Sequence, residues 1–366
     1  MPDYTLIDRP AMLCPALAGE RRIGLDTEFM REKTFFAELC LVQIAVDDSL
    51  YCVDPLAGDR TADPSLEQFW DCAMQATWVA HSARQDIEVI YQSADRMPLK
   101  LFDTQIAASL TGLATQLGYA ALVQELFGIE IAKTHTRADW SRRPLSDAVL
   151  QYAAEDVQYL LPAQDLLLER LEQLGRRNWA EEDSARLLDT SLYDIDPKLA
   201  VSRLKGARNL RGRRRAAAAR LAVWRETEAL RRNRPRQWIV KDAVLIELAK
   251  TLPTELATLK EFDGLAEGLI RRAGMDILGA ISSSDGDDTN YQPPSRPQEA
   301  DKALLKVLQR EVAECAADLG LAAETLAAKR DLTAIVLDGN GSSKVLEGWR
   351  HAVIGERLES LIQASG

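Results

Sequence analysis

The sequence has no apolar run as long as a membrane-spanning helix requires, about 18 residues or more, which argues against a transmembrane protein. Its amino terminus, Met-Pro-Asp-Tyr, lacks the basic start and apolar stretch of a signal peptide, so secretion is not expected. The five cysteines are scattered, with no C-x-x-C pair and no neighbouring histidine cluster. This pattern predicts reduced, mostly buried thiols in a cytoplasmic protein.

Basic residues are fewer than acidic ones: the sequence has 45 Lys and Arg residues and 56 Asp and Glu residues, and its formal net charge is −11. As an average, this acid excess argues against a nucleic-acid partner. The charge is unevenly distributed, however. Residues 201–241 contain fourteen basic residues and two acids, which gives this segment +12 and leaves −23 for the remainder. The basic segment predicts either a phosphate-binding surface or a solvated helix face.

The pattern of apolar residues predicts an α/β region followed by an all-α region. The hydrophobic content of 46% is that of a protein with a core, and 366 residues suggest two or three domains. Residues 22–29, 39–46 and 50–53 are predicted to be consecutive strands of an antiparallel meander. Short apolar runs then alternate with helical stretches, which indicates an α/β layer arrangement. From about Leu145 onward, nearly all of the sequence is predicted to be helical.

Two carboxylates occur in the sequence Ile-Gly-Leu-Asp-Thr-Glu-Phe, at Asp26 and Glu28. Residues two apart in a strand project to the same face, so these side chains are predicted to stand side by side in apolar surroundings. Two adjacent negative charges are unfavourable there unless a cation lies between them. Mg²⁺ and Mn²⁺ prefer oxygen ligands of this kind. The pair therefore predicts either a metal site or an exposed acidic face.

Two further acidic positions fall on predicted helices. Asp86 lies on the first turns of a helix that follows the strand 78–80, where it could belong to a site or interact with the helix dipole. Tyr152 and Asp156 are four residues apart and share one face of a later helix, for which Ser146 is the expected N-cap. A phenol beside a carboxylate can orient a water molecule, although a buried tyrosine on an amphipathic helix would show the same spacing.

Taken together, the D-x-E strand, the helix-borne Asp86 and the Y-x-x-x-D helix resemble the DEDD family of 3′–5′ exonucleases. The resemblance is to the tyrosine-bearing subclass, and within it to the ribonuclease D family. That family has an RNase H-like fold, an α/β domain whose mixed sheet is flanked by helices. The similarity runs across about 170 residues and includes the segments 29–36 (FMREKTFF), 41–44 (LVQI), 101–105 (LFDTQ) and 137–146 (RADWSRRPLS).

The resemblance implies a role for each matched residue. In this family two divalent metal ions, Mg²⁺ or Mn²⁺ about 4 Å apart, bracket the scissile phosphate. Asp26 would contact both ions, and Glu28 and Asp156 would complete the site that activates the attacking water. Asp86 would support the second ion, and Tyr152 would aim the water. The set is complete, so the resemblance implies an active enzyme.

Three other residues near these motifs have open roles. His81 precedes Asp86 by five residues, as in the family pattern, and is interpreted as a structural residue at the strand end or as a member of the site. Trp140 and Arg142 are expected on a loop before the third motif. They could stack on RNA bases and contact phosphates, or they could simply pack.

The carboxy-terminal half is predicted to contain two small all-α modules. The segments 222–226 (AVWRE), 233–235 (NRP), 238–242 (WIVKD) and 245–249 (LIELA) make residues 205–281 resemble an HRDC domain. Residues 298–366 are similar to a second, more divergent copy. Between them, residues 282–297 are rich in Ser, Asp and Pro and are predicted to form a linker. The exonuclease domain would occupy residues 1–195. Each helical block is expected to bury its own core.

The resemblance to ribonuclease D implies a cytoplasmic, monomeric 3′–5′ exoribonuclease that releases nucleoside 5′-monophosphates and trims the 3′ ends of tRNA precursors and other structured RNAs. The basic segment would bind RNA phosphates through Arg211, Arg213, Arg214 and Arg215. Two alternatives stay open. One is a DNA exonuclease of the same fold, because the carboxylates do not separate RNA from DNA. The other is a non-catalytic RNA-binding or scaffold protein.

Overall fold

The computed structural model shows two compact units. The first unit consists of Met1–Met30, Leu39–Tyr193 and Arg296–Gly366, and the second of Arg31–Glu38 and Asp194–Ser295. Most of the predicted linker, residues 284–290, 294 and 296, lies outside the described residues. The structure describes residues 3–57, 65–131, 138–283, 291–293, 295, 297–338 and 343–365.

A mixed six-stranded sheet forms the centre of the first unit, with the order β1-β4-β3-β2-β5-β6 among the described residues. β4 pairs antiparallel with β3 and parallel with β1, and β5 pairs parallel with β2 and β6. The three strands predicted as a meander are present, whereas β1 was not predicted. β1 is a short edge strand of four residues, and its two central residues are exposed. The strands are β1 Tyr4–Ile7, β2 Arg22–Met30, β3 Glu38–Val46, β4 Ser49–Val53, β5 Thr77–Ala80 and β6 Lys100–Asp103.

Helices flank this sheet, as the fold class predicted. The helices Leu160–Gln173 and Arg177–Arg186 lie near one another. The helix Asp147–Gln158, which carries Tyr152 and Asp156, packs against β2 and β4. The helices are α1 Cys14–Leu17, α2 Ser65–Ala73, α3 Arg84–Ala94, α4 Thr104–Leu110, α5 Tyr119–Phe127, α6 Asp147–Gln158, α7 Leu160–Gln173 and α8 Arg177–Arg186.

The second unit is helical and has its own apolar core. Its longest helix, α10, buries four consecutive alanines, and these small side chains allow α12 and α14 to pack against it. Residues 31–38 also belong to this unit: the backbone N–H groups of Phe35 and Phe36 donate to Asn233 Oδ1, at 2.9 and 3.0 Å. The helices are α9 Ala200–Arg203, α10 Gly212–Arg232, α11 Arg236–Ile239, α12 Asp242–Thr251, α13 Leu256–Leu259 and α14 Glu267–Ser282.

The last block does not bury a separate core, which corrects the expectation from its sequence. Its apolar residues, among them Leu305, Leu308 and Ile354, belong to the same buried cluster as the residues of the sheet and of α6 and α7. The sequence shows only that these positions are apolar, and not which surface they cover. The helices are α15 Glu299–Asp318, α16 Ala323–Leu326, α17 Lys329–Asp338, α18 Gly348–Arg350 and α19 Glu356–Ser365.

Polar and aromatic contacts join the last block to α8. The rings of Trp179 and Trp349 stack with their centroids 4.2 Å apart and their planes 6° from parallel. The guanidinium of Arg350, which is 4% exposed, forms an ion pair with Asp183. It also donates to the carbonyl of Thr325 at 3.0 Å. The block is thus an integral part of the first unit.

Two cysteines contradict the expectation of reduced thiols. Cys14 on α1 and Cys72 on α2 form a disulfide, with their Cα atoms 5.6 Å apart. The two residues are 58 positions apart in sequence, and only the packing of α1 on α2 brings them together. The other three, Cys40, Cys52 and Cys315, are buried thiols that form no disulfide within the described part of the chain, as predicted.

Candidate active site

Three carboxylates converge on one face of β2. Oxygen atoms of Asp26 and Glu28 on β2 and of Asp156 on α6 all lie within 4.8 Å of one another. Gly24 explains the close approach of the helices. A Cβ atom at this position would lie 3.0 Å from Cβ of Ala45 and 3.3 Å from Cβ of Leu160, which is the first residue of α7. The missing side chain therefore lets the α6–α7 segment pack directly over the strand that carries the acids.

The site favours the protonated form of each of its carboxylates in the absence of a cation. Burial, followed by repulsion from Asp156 and Asp86, raises the pKa of Glu28 to about 8. Burial also raises the pKa of Asp86 and that of Asp156 to about 7. The pKa of Asp26 is raised well above its ordinary value by burial and by repulsion from Asp86, Asp156 and Glu28. A divalent cation would relieve this repulsion, and carboxylate oxygens suit Mg²⁺ or Mn²⁺, so the residues present fit a metal site.

Asp86 lies beside this group and is oriented by Thr27, the residue between the two acids of β2. The hydroxyl of Thr27 donates to Asp86 Oδ1 at 2.6 Å, and the Thr27 N–H donates to the same atom at 3.2 Å. Asp86 is close enough for its charge to raise the pKa of Asp26, although it is outside the three-carboxylate group. Strand alternation alone gave no signal that Thr27 would reach a helix.

The start of α3, which carries Asp86, is held by Asp103 at the end of β6. The carboxylate of Asp103 accepts from the N–H groups of Ser82 at 3.2 Å and Ala83 at 2.8 Å, directly before α3. It also caps α4 through the N–H of Gln105 at 2.8 Å. Asp103 thus fixes the turn between β5 and α3, where Ser82 has a φ of 60°. This is a positioning role for the segment 101–105.

His81 has a structural environment. Its Nδ1 lies 2.9 Å from the hydroxyl of Thr104 and its Nε2 lies 2.8 Å from the carbonyl of Leu117. Burial lowers the pKa of His81, so the neutral ring is favoured. Both ring nitrogens are engaged within the protein, and His81 therefore ties the end of β5 to α4 and to the segment before α5. This supports the structural interpretation of the residue.

Tyr152 and Asp156 lie one turn apart on one face of α6, as their spacing predicted, and they share a side-chain hydrogen bond. Burial and the charges of Asp156, Glu28 and Asp26 raise the pKa of Tyr152, so the phenol keeps its proton. Trp140 packs beside the phenol, with ring centroids 6.5 Å apart. Because Trp140 is only 3% exposed, it cannot stack on an RNA base in this arrangement. The burial of Trp140 therefore favours its packing alternative.

The loop before α6 is anchored by Arg143, whose guanidinium donates to both carboxylate oxygens of Asp54, at 2.6 and 2.7 Å. It also donates to the carbonyl of Trp140 at 2.7 Å. Arg142, the preceding residue, is exposed. The two adjacent arginines therefore differ, because Arg143 stabilises the loop and Arg142 is accessible to a phosphate. Arg137, at the start of this sequence motif, lies outside the described residues.

The basic segment divides into structural and accessible residues. Arg225 is 3% exposed and pairs with Asp242, while Arg236 pairs with the buried Glu226. In contrast, Arg211, Arg213 and Arg214 are exposed at the start of α10. Arg215 is half-buried and donates to the carbonyl of Leu210 at 3.0 Å. The predicted phosphate contacts thus cluster at one helix end, and part of the +12 charge stabilises the fold.

One exposed aromatic residue was not singled out for binding from the sequence. Trp238 on α11 is 59% exposed, and the guanidinium of Arg234 lies 5.9 Å from its ring centroid. An exposed ring beside a cation is the kind of surface on which an unpaired base stacks. Sequence alone does not show whether a tryptophan among apolar neighbours is buried or exposed.

Comparisons with known proteins agree with this geometry. Residues 5–172 match the 3′–5′ exonuclease family, and residues 214–281 match the HRDC domain family. The fold and the acidic site thus define a 3′–5′ exonuclease with an appended HRDC domain. Among the described residues, no helix is both long and apolar enough to cross a membrane.

The chain belongs to the ribonuclease D family, which confirms the resemblance found in the sequence. It is 37% identical to the ribonuclease D of Gluconacetobacter diazotrophicus, with 98% of this chain and 93% of that protein covered. It is 36% identical to the ribonuclease D of Xanthomonas oryzae, with 98% of each chain covered. The crystal structure of Escherichia coli RNase D, an exoribonuclease involved in structured RNA processing, superposes with a TM-score of 0.86. That match has 28% identity and covers 99% of both chains.

Proposed function

We propose that this protein is a 3′–5′ exoribonuclease that uses two divalent metal ions to hydrolyse phosphodiester bonds. The observation that carries the proposal is that carboxylate oxygens of Asp26, Glu28 and Asp156 lie within 4.8 Å of one another. The phenol of Tyr152 is hydrogen-bonded to Asp156. The products are nucleoside 5′-monophosphates, and the substrates are the 3′ ends of tRNA precursors and other structured RNAs. The metal ions are Mg²⁺ or Mn²⁺.

Each residue of the site has a distinct task in this proposal. Asp26, Glu28 and Asp156 would hold the metal ions, and Asp86, fixed by Thr27, would add charge for the second ion. Bound divalent ions neutralise the anionic phosphodiester and make a water molecule nucleophilic near neutral pH. Tyr152 keeps its proton and can accept or donate a hydrogen bond, so it orients the attacking water beside Asp156. The neutral phenol adds no negative charge that would repel the RNA.

A time course on a 3′-extended tRNA and on a matched single-stranded DNA tests this function. With Mg²⁺, the RNA should be shortened one nucleotide at a time from its 3′ end, and 5′-monophosphates should appear. EDTA should stop the reaction, and added Mg²⁺ or Mn²⁺ should restore it. Equal or faster loss of the DNA would favour the DNA exonuclease. Binding of RNA without shortening under any metal condition would favour the non-catalytic alternative.

Metal binding should strengthen as pH rises, because the ligands must lose their protons. In the ion-free protein, a carboxyl group with a raised pKa stabilises the fold when it is protonated. This contribution to stability is fully present below about pH 4 and is lost as pH rises through about 7 to 8. The increase in melting temperature on adding Mg²⁺ should therefore be small near pH 6 and large above about pH 8. Thermal melts with Mg²⁺ or EDTA across this range measure it. A shift that does not change with pH would contradict the buried carboxylate site.

The exposed start of α10 should supply part of the non-specific affinity for RNA. Replacing Arg211, Arg213, Arg214 and Arg215 with Gln should weaken RNA binding. The slope of log affinity against log salt should also become shallower by about 2, because each of the three exposed arginines would lose one phosphate contact, and each contact on a single strand contributes about 0.7. Fluorescence anisotropy at several salt concentrations measures both quantities.

The control for this variant is a pair of exposed arginines in the last block, Arg310 and Arg330, which are 74% and 83% exposed. Changing them to Gln removes two surface charges at a distance in sequence from the basic segment. The control should leave the slope unchanged. An unchanged slope in the α10 variant as well would return that segment to the solvated-face interpretation.

The remaining parts of the proposal concern organisation. We propose domain limits of 1–195 for the exonuclease, 205–281 for the first HRDC domain and 298–366 for a second, divergent copy joined by the linker 282–297. We also propose that the protein acts as a monomer in the cytoplasm. Light scattering on the purified protein in dilute solution tests the monomer, for which a mass near 40.6 kDa is expected.

A further inference from the structure

Gln43, at the centre of β3, has a buried side chain without a protein partner. The residue is 0% exposed, and among the described residues neither its Nε2 nor its Oε1 has a hydrogen-bond partner. A buried amide left in this state lowers stability, and an apolar residue of the same size would avoid the loss. Its neighbours along β3, Val42 and Ile44, are fully buried and apolar. The amide is therefore an exception that requires an explanation.

The side chain of Gln43 lies on the sheet face that α6 covers. Gln43 is opposite Cys52 in the antiparallel pairing of β3 and β4, so the two side chains share a face. The Sγ atom of Cys52 contacts the carbonyl of Leu150 on α6 at 3.6 Å. The amide thus lies beneath the helix that carries Tyr152 and Asp156.

On its other side, β3 is next to β2, and this places Gln43 beside Asp26. A Cβ on Gly24 would lie 3.0 Å from Cβ of Ala45, so these two positions face each other. The strands are adjacent and joined by a short connection, which requires them to run antiparallel. Asp26 lies two residues after Gly24 on β2, and Gln43 lies two residues before Ala45 on β3. In an antiparallel pair, Asp26 is therefore opposite Gln43. Facing side chains of this kind have Cβ atoms about 4.5–5.5 Å apart, within hydrogen-bonding reach of a glutamine.

We propose that Gln43 is a positioning residue of the metal site, a role that rests on the proposed two-metal function. Its carboxamide NH₂ donates to the carboxylate of Asp26 when that carboxylate holds the metal ions, and fixes the direction of the oxygen lone pairs. A neutral donor suits this position, because a cationic side chain would compete with the metal. Residues that orient metal ligands in this way typically change metal affinity by about 10–100-fold when they are removed.

The variant Gln43→Met tests the role, because methionine fills a similar volume and has no amide. Mg²⁺ and Mn²⁺ affinities measured by calorimetry at about pH 8 should fall by about tenfold or more. The melting temperature in EDTA should be unchanged or higher, since an unpartnered polar group has been removed. A purely structural role would give the opposite pair of results, a lower melting temperature and an unchanged affinity.

The matched control is Cys52→Val, which alters the same sheet face on the side of β3 away from Asp26. Its metal affinity should equal that of the unaltered protein. Gln43→Leu provides a second test if the methionine variant does not fold. In the unaltered protein, the side-chain ¹⁵N–¹H signals of Gln43 should shift in step with Mg²⁺ occupancy.

The outcomes separate the two proposals. If the unaltered protein binds no divalent metal, the proposed two-metal function fails. If it binds metal, and the Gln43 variants bind equally well or the Gln43 signals do not move, the positioning role of Gln43 is overturned.

Discussion

Asp26→Asn should reduce the rate of 3′ trimming by about 10³-fold or more, while folding and RNA binding are preserved. Asp26 is the central carboxylate, and it is repelled by Asp86, Asp156 and Glu28 at once. Replacing it with a neutral amide of the same shape removes a metal ligand, and a loss of about 4 kcal/mol of transition-state stabilisation corresponds to about 10³ in rate. In EDTA the variant should be at least as stable as the unaltered protein, because the asparagine cannot ionise and is not repelled by the neighbouring carboxylates.

The measurement is a gel-based time course with 5′-labelled RNA, combined with anisotropy for RNA binding and thermal melts for folding. Asp48→Asn is a suitable control, since Asp48 is exposed in the turn between β3 and β4. The control should retain full activity. Trimming by Asp26→Asn at a rate near that of the control would contradict the metal assignment.

Arg350→Met should lower the free energy of unfolding of the first unit by about 3–5 kcal/mol. Arg350 is 4% exposed, and its partner Asp183, whose side chain is 11% exposed, would lose its counter-charge. The carbonyls of Thr325 and Leu326 would also lose a donor. Because the last block shares one apolar cluster with the sheet, the loss should appear in the unfolding of the whole unit.

Urea denaturation followed by tryptophan fluorescence and by far-ultraviolet circular dichroism measures this effect. The comparison is Arg177→Met, which removes a 49%-exposed arginine that pairs with Glu172 and Glu181. An exposed pair of this kind contributes about 1 kcal/mol or less. If both variants lost similar amounts, the ion pair of Arg350 would have no special role in joining the block to α8.

Local spacing was sufficient to predict those parts of the site that lie within a single strand or helix. Alternation along β2 placed Asp26 and Glu28 on one face, and the spacing of four residues placed Tyr152 beside Asp156. The main strands and the class of fold followed from apolar runs. The resemblance to ribonuclease D then supplied Asp86, whose place beside β2 depends on the turn after β5.

Features that arise from contacts between distant segments were not predicted. Trp140 has an aromatic ring of the kind that stacks on bases, but tertiary packing buries this ring beside Tyr152. The disulfide between Cys14 and Cys72 and the shared core of the last block have the same cause. A partner that is far along the chain leaves no periodic signal in the sequence.

The single core of the first unit has a consequence for synthesis on the ribosome. Leu308 and Leu358 are buried with residues of β3 and α7, although they are made several hundred residues later than the start of the sheet. Domains usually fold as their sequence emerges, the amino-terminal part first. Here α8 of the nuclease, on which Trp179 stacks against Trp349, cannot complete its packing until the last block has been translated. A chain that is released early is therefore left with an incompletely packed nuclease, and this couples the maturation of the nuclease to completion of the protein.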